Sequence, residues 1–210
     1  MSLLLLIILL LPSDPNGTVK VGNFYVDQTE TLNIHWLAYV HFKKQELSSA
    51  EHWRLLPNSA NNWYDSPNRR FEPITFISYE QAVDYCAWRS EVVSKKSGIP
   101  IIYRMPNISE WNLIAEKILI EDQKKVAKEL NKLKRKLVKT KNQFLLTNRA
   151  TTKNEVYDLF SNVSEMTSVK GIAKGGNNHE LLNEDDLTAD IKYKDSNAYL
   201  GFRCIVEFNE

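Results

Sequence analysis

Cysteine is scarce in this chain: there are two among 210 residues, Cys86 and Cys204. That number excludes a disulfide-stapled miniature scaffold and a four-thiolate zinc site. Charge of one sign is lacking too, with 27 Lys and Arg against 26 Asp and Glu. A chain so balanced has no overall electrostatic pull toward nucleic acid or an anionic membrane. Long hydrophobic runs are missing as well. The longest, Leu3 to Leu11, is less than half of the roughly 20 residues a spanning helix needs, so no transmembrane span is expected. There is no glycine-rich phosphate loop, no serine nucleophile elbow and no Cys-x-x-Cys pair. What remains is an ordinary globular composition, 43% hydrophobic and 10% aromatic, enough for one good core.

The run Leu3–Leu11 matches the hydrophobic region of a secretory signal peptide, broken by Pro12-Ser13-Asp14-Pro15. Residues 1–13 are therefore expected to direct export, to the cell envelope or beyond. There is no cysteine in this region, so a lipoprotein anchor is not expected. The alternative is a buried N-terminal strand, or a start codon set too early.

The next elements follow from hydrophobic periodicity and caps. Gly22 to Val26 reads as a strand, followed by a helix capped by Thr31 or Asn33 with Ile34, Leu37, Ala38 and Val40 as its apolar face. His35 and His41 are six apart, which puts no metal pair on one helical face. Residues 46–70 read as a long loop pinned by Trp53, Trp63 and Tyr64. From Ile77 to Ala115 the signals are dense. Ser78 and Gln81 form a capping box, and Ala82, Val83, Cys86 and Ala87 share a helical face. Gly98 and Pro100 end that helix, and Ile99–Tyr103 has the composition of a strand. Asn107 and Glu110 open a second helix whose buried face carries Trp111, Ile114 and Ala115.

Between about residues 119 and 142 lies a basic helical insertion. Val126, Leu130, Leu133 and Leu137 are spaced four, three and four apart, one narrow apolar stripe. Residues 122–141 hold nine Lys or Arg and two acids, a local balance of +7 that leaves −6 on the rest of the chain. Such a helix either packs its stripe onto its own domain or offers Lys132, Lys134, Arg135 and Lys136 to an acidic partner.

Four blocks, in order, carry a family resemblance: FYVDQTETLNIHWLAYVHF, SYEQAVDYC with YRMPNISEW, VYDLFSNVSEMT, and Gly175-Gly176 followed by GFRC. Over residues 21–208 they resemble the formylglycine-generating enzyme (sulfatase-modifying factor) family. The resemblance implies an α+β, C-type-lectin-like fold, with a small, twisted, mostly antiparallel sheet, two packed helices and long loops. It implies a disulfide between Cys86 and Cys204; the alternative is two buried thiols packing as small hydrophobes. It also implies a calcium site at Phe160, Ser161, Val163 and Glu165, unless Glu165 instead holds its loop by hydrogen bonds.

Active members of that family place two copper(I)-binding cysteines at the fourth and ninth residues after the second glycine. Here those positions are Glu180 and Asp185, so no copper is expected. His179 among Glu180, Glu184, Asp185, Asp186 and Asp190 is the one arrangement that could replace it, as an iron or zinc site. The expectation is accordingly an exported, non-catalytic binding or envelope-assembly protein, closest to the gliding-motility and type IX secretion branch, with a protein or envelope partner and no nucleic acid. The alternative is a formylglycine-generating-type or diverged metal-dependent oxidoreductase.

Overall fold

A computed structural model describes residues 15–58, 63–139, 155–179, 182–183 and 186–208. The expected leader, 1–13, lies outside the described residues, as do Glu180, Asp185 and the stretch 140–154. The chain enters through a hairpin. Strand β1 (Thr18–Val21) turns at Gly22 into β2 (Phe24–Asp27), with Val21 opposite Phe24. The sequence reading found β2 and missed β1, whose four residues are too short to show a period against their polar neighbours.

Helix α1 (Asn33–Lys43) follows, with Leu32 as its N-cap. Its inward face differs from the expected one. Trp36, Tyr39 and Val40 are buried, whereas Ile34 and Leu37 are 37% and 42% exposed. The aromatics remove more area from water than the aliphatics, and Trp36 also finds a partner for its indole N–H, the Leu55 carbonyl at 3.1 Å. Helix α2 (Tyr79–Ser97) opens on the expected capping box. Gln81 N–H donates to Ser78 Oγ at 3.2 Å and Ser78 N–H to Gln81 Oε1 at 2.8 Å. It closes at Gly98, whose φ of 75° is the left-handed cap that glycine adopts without strain. Ala82 and Cys86 face the core as expected, but the third inward residue is Tyr85, while Val83 and Ala87 are exposed.

Strand β3 (Ile101–Arg104) leads into α3 (Ile108–Lys139), where Asn107 and Glu110 exchange cap bonds of 2.9 and 2.7 Å. The basic stretch is not a separate helix. It continues α3 for 32 residues in all, because no Gly or Pro interrupts the chain between Ile108 and Lys139. Five short strands close the fold: β4 (Ser164–Met166), β5 (Ile172–Lys174), β6 (Ile191–Lys192), β7 (Leu200–Gly201) and β8 (Ile205–Phe208). They build two sheets, an antiparallel β1-β2-β8-β3 and a smaller β6-β5-β4-β7 whose β4–β7 pair is parallel. This is the expected α+β architecture, with two small sheets rather than one.

Two hydrophobic clusters result. One gathers Trp36, Tyr39, Tyr85, Cys86, Phe202 and Cys204 under α1 and α2. The other joins Val19, Phe24, Trp111, Ile114, Leu130 and Phe160 around α3. Leu130, at 4% exposure, shows that the basic helix packs its stripe onto its own domain. The side chain of Leu137 lies outside the described residues.

Candidate functional site

The four sequence blocks meet at a buried ionic node. Arg203, from the GFRC block, and Glu165, on β4, are both fully buried. Arg203 donates to Glu165 Oε1 from Nε at 2.8 Å and from Nη2 at 2.5 Å. The other carboxylate oxygen accepts the Trp111 indole N–H at 2.9 Å. Arg203 also donates to the carbonyls of Asp27 at 3.0 Å and Tyr157 at 2.9 Å. A guanidinium with five donors thus ties β2, β4 and the 155–161 segment together. Burial opposes its charge, but Glu165, together with Glu30 and Asp27, outweighs that penalty and the pKa is raised.

Glu30 lies beside this pair, 2% exposed, accepting from the Asn162 side-chain amide at 3.0 Å. Burial, reinforced by the nearby Asp158, pushes its carboxyl well above the usual range, and Arg203 only partly offsets them. Asp158 and Asn162 are the left-handed residues of this turn, at φ 57° and 69°. Ser161, between them, is not among these residues and carries no left-handed strain.

The next wall is Gly175-Gly176. A Cβ on Gly175 would sit 2.3 Å from the Leu159 carbonyl, and one on Gly176 2.7 Å from the Phe160 carbonyl. Only glycine admits that approach. Asparagines fasten the two loops. Asn162 N–H donates to Asn178 Oδ1 at 3.0 Å, and Asn177 Nδ2 donates to Ser164 Oγ at 3.0 Å. Lys174, 1% exposed, donates to the Thr188 carbonyl and pairs with Asp190 at 2.9 Å. His179 lies against the Tyr199 ring, 4.5 Å between centroids. Asp190, expected near His179, is thus committed to Lys174. Among the described residues no group of three or more His, Cys, Asp or Glu is arranged to hold a metal.

Glu165 makes the hydrogen bonds of the second sequence reading. Phe160 and Val163 are buried and Ser161 half-buried around it. With one oxygen on Arg203 and the other on Trp111, the carboxylate is already neutralised and cannot serve calcium without displacing a buried guanidinium. The donor set does not fit that ion in this arrangement. The two cysteines are brought together, Sγ to Sγ at 3.4 Å, as free thiols rather than the expected disulfide. A bond needs about 2.05 Å, so the pair is positioned next to each other but unbonded. The hydrogen bond to Cys204, and then burial, raise the Cys86 thiol well above its ordinary pKa.

Lys132 and Lys136 line a groove along α3, with Lys132, Arg135 and Lys136 exposed and Lys134 half-buried. No described helix is long and apolar enough to cross a membrane. The motifs contain Arg203, Glu30 and Asn162, but the sequence alone assigns none of them a role in the node, and Lys174 stands outside the quoted motifs. The one available signal was that a charged residue in GFRC sits between apolar neighbours.

Comparison with known proteins agrees with the motifs. A family model described as the sulfatase-modifying factor enzyme 1-like domain matches residues 12–208. Among solved structures, one titled "Crystal Structure of CarF" is 15% identical, covering 89% of this chain and 87% of that one, at a TM-score of 0.49. No curated protein matches in sequence.

Proposed function

The chain belongs to the sulfatase-modifying factor enzyme 1-like family, and we propose that within it this protein is a non-catalytic binding or envelope-assembly module. The observation that carries the reading is the cysteine inventory. The positions that resemble the family's copper ligands hold Glu180 and Asp185, and the only thiols, Cys86 and Cys204, are core residues 3.4 Å apart. The apolar run Leu3–Leu11 supports export, and in an oxidising compartment the thiol pair would close into the family's disulfide. The basic face of α3, with Lys132, Lys134, Arg135 and Lys136, would supply the contact to an acidic envelope partner.

Two experiments test this. The protein is incubated aerobically with copper and a sulfatase-type cysteine peptide, beside an active family member, and the peptide is read by mass spectrometry. No aldehyde on the peptide is expected here, and aldehyde formation would overturn the reading. Reversal of the four basic residues to Glu is expected to reduce partner recovery from envelope extracts by about tenfold at low salt, with wild-type recovery itself falling as salt rises. Recovery unchanged by the reversal would remove α3 as the contact.

A further inference from the structure

Asn16-Gly17 is the only Asn-Gly pair in the chain, and it stands immediately ahead of β1. The two residues are the centre of a turn. Thr18 N–H donates to the Pro15 carbonyl at 3.2 Å, and Thr18 Oγ1 donates to the same oxygen at 2.6 Å. Gly17 lies at φ 75°, the left-handed conformation that the second central residue of a type II turn requires. Its carbonyl accepts Gln28 N–H at 2.9 Å, which ties the turn to the residue after β2. Both Asn16 and Gly17 are exposed, and a Cβ on Gly17 would meet nothing within 4 Å.

Asparagine is among the chemically labile residues, because the backbone nitrogen of the next residue can close a five-membered ring on its side-chain Cγ. The attack is intramolecular, so no second reactant has to be brought into place. Two things restrain it in a folded chain: a side chain crowding that nitrogen, and a structure that holds the asparagine amide. Neither applies here. Gly17 has no side chain, and the bonds of the turn run through the Pro15 carbonyl, Thr18 N–H and the Gly17 carbonyl rather than the Gly17 nitrogen. Asparagines elsewhere are held. Asn162, 1% exposed, donates to Glu30, and Asn178, also 1% exposed, accepts from Asn162 N–H. Asn197 accepts Tyr199 N–H at 2.8 Å. Each is followed by a residue with a Cβ: Val163, His179 and Ala198.

We propose that Asn16 is a site of spontaneous deamidation, a covalent modification whose only co-reactant is water. Base removes the Gly17 amide proton, and the nitrogen attacks Asn16 Cγ. The new N–Cγ bond forms as the Cγ–Nδ2 bond breaks, and ammonia leaves. Water then opens the succinimide. Attack at Cγ leaves aspartate on the ordinary backbone. Attack at the Asn16 main-chain carbonyl carbon leaves isoaspartate, with the chain running through Cβ and Cγ. The sum is asparagine plus water giving aspartate or isoaspartate plus ammonia. Either product adds a negative charge, and isoaspartate also lengthens the backbone of the turn by a methylene. The Pro15–Thr18 hydrogen bond then loses its register, which loosens the start of a strand whose Val19 and Val21 belong to the second core. The site lies beyond the expected leader, and the inference does not rest on the proposed function.

The full chain is aged at neutral and alkaline pH and followed by intact mass and peptide mapping, with a synthetic peptide of residues 13–22 as the unfolded reference. A gain of about 1 Da that maps to Asn16 is expected. Its rate should lie within about tenfold of the peptide's and rise about tenfold per pH unit, since the Gly17 proton must leave first. Isoaspartate, read by isoaspartyl methyltransferase labelling, should be the main product. Asn16→Gln should abolish both signals and unfold thermally like wild type. In the aged protein, amide exchange at Thr18 and Gln28 should accelerate at least about tenfold, while Ala82 in α2 stays unchanged. A full chain that stays unmodified while the peptide reacts would overturn the proposal, because the turn would then be holding Asn16 away from the Gly17 nitrogen. So would a mass gain that survives in Asn16→Gln, or aspartate formed without isoaspartate, the mark of direct hydrolysis. Unchanged exchange at Thr18 and Gln28 in isoaspartate-bearing protein would overturn the effect on β1.

Discussion

The two cores of this protein are built on opposite plans. The cluster under α1 and α2 is aromatic and closed. Trp36 stacks on Tyr85 at 5.6 Å, Tyr85 meets Phe202 edge-on at 5.4 Å, and Tyr39 and Trp88 fill the remaining sides. The cluster around α3 is mostly aliphatic. It is tight at Trp111, Ile114 and Ala115, all fully buried, and loosens further along until Ile120 is 85% exposed. Aromatic rings lock one another's orientation through their edges and faces, while aliphatic side chains fill volume with less directional demand. The first core can therefore fix the fold while the second leaves space beside it. Glu165 and Arg203 sit at the seam, since Trp111 of the second core and Phe202 and Cys204 of the first flank them.

The largest expected effect is at that seam. Arg203→Met leaves Glu165 as an uncompensated buried charge and should cost about 3–5 kcal/mol in urea unfolding. The double replacement Glu165→Leu with Arg203→Met should recover most of that loss, because well-packed apolar groups often match a buried ion pair. A loss below about 1 kcal/mol in the single variant would mean that the pair does not join the two cores.

Next come the cores themselves. Trp36→Ala removes the central ring of the closed core and should cost about 3–5 kcal/mol. Val126→Ala, half-buried at the edge of the open one, should cost less than about 1 kcal/mol, since its site already borders space that water or a ligand can enter. Equal costs, measured side by side by the same denaturant method, would erase the contrast between the two plans.

Much of the fold was legible wherever local chemistry decides it. The capping boxes at Ser78 and Asn107, the glycine stop at Gly98 and the buried trio Trp111, Ile114 and Ala115 all depend on neighbours in sequence, and all were found. The inward face of α1 was misread because Ile34 and Leu37 score as highly as Trp36 and Tyr39 by hydrophobicity. The choice between them is made by Leu55 and Tyr85, which lie 19 and more residues away. The node was legible only as motifs. Glu165 was singled out, but its partners Arg203 and Trp111 are 38 and 54 residues distant, so nothing in the spacing distinguishes a calcium ligand from an ion pair. Glu30 shows the same limit more sharply, since its neighbour Asn162 is 132 residues on.

The smallest expected effect has the most diagnostic sign. Glu30 has its native pKa raised by burial and by Asp158. A carboxyl with a raised native pKa holds its proton more tightly when folded. Its contribution is therefore fully present below the unfolded value, about 4.3, and is lost as pH rises through the native one. Glu30→Gln keeps an oxygen for the Asn162 amide and cannot ionise, so it should match wild type in acid and become the more stable protein as pH rises, by about 1 kcal/mol. Thermal unfolding of the two proteins across a pH series measures that divergence. The reverse result, with the variant weaker by the same amount at every pH above about 5, would make Glu30 an ionised partner of Arg203. The seam would then carry two anions on one guanidinium, and the Arg203→Met cost should rise with pH rather than hold constant.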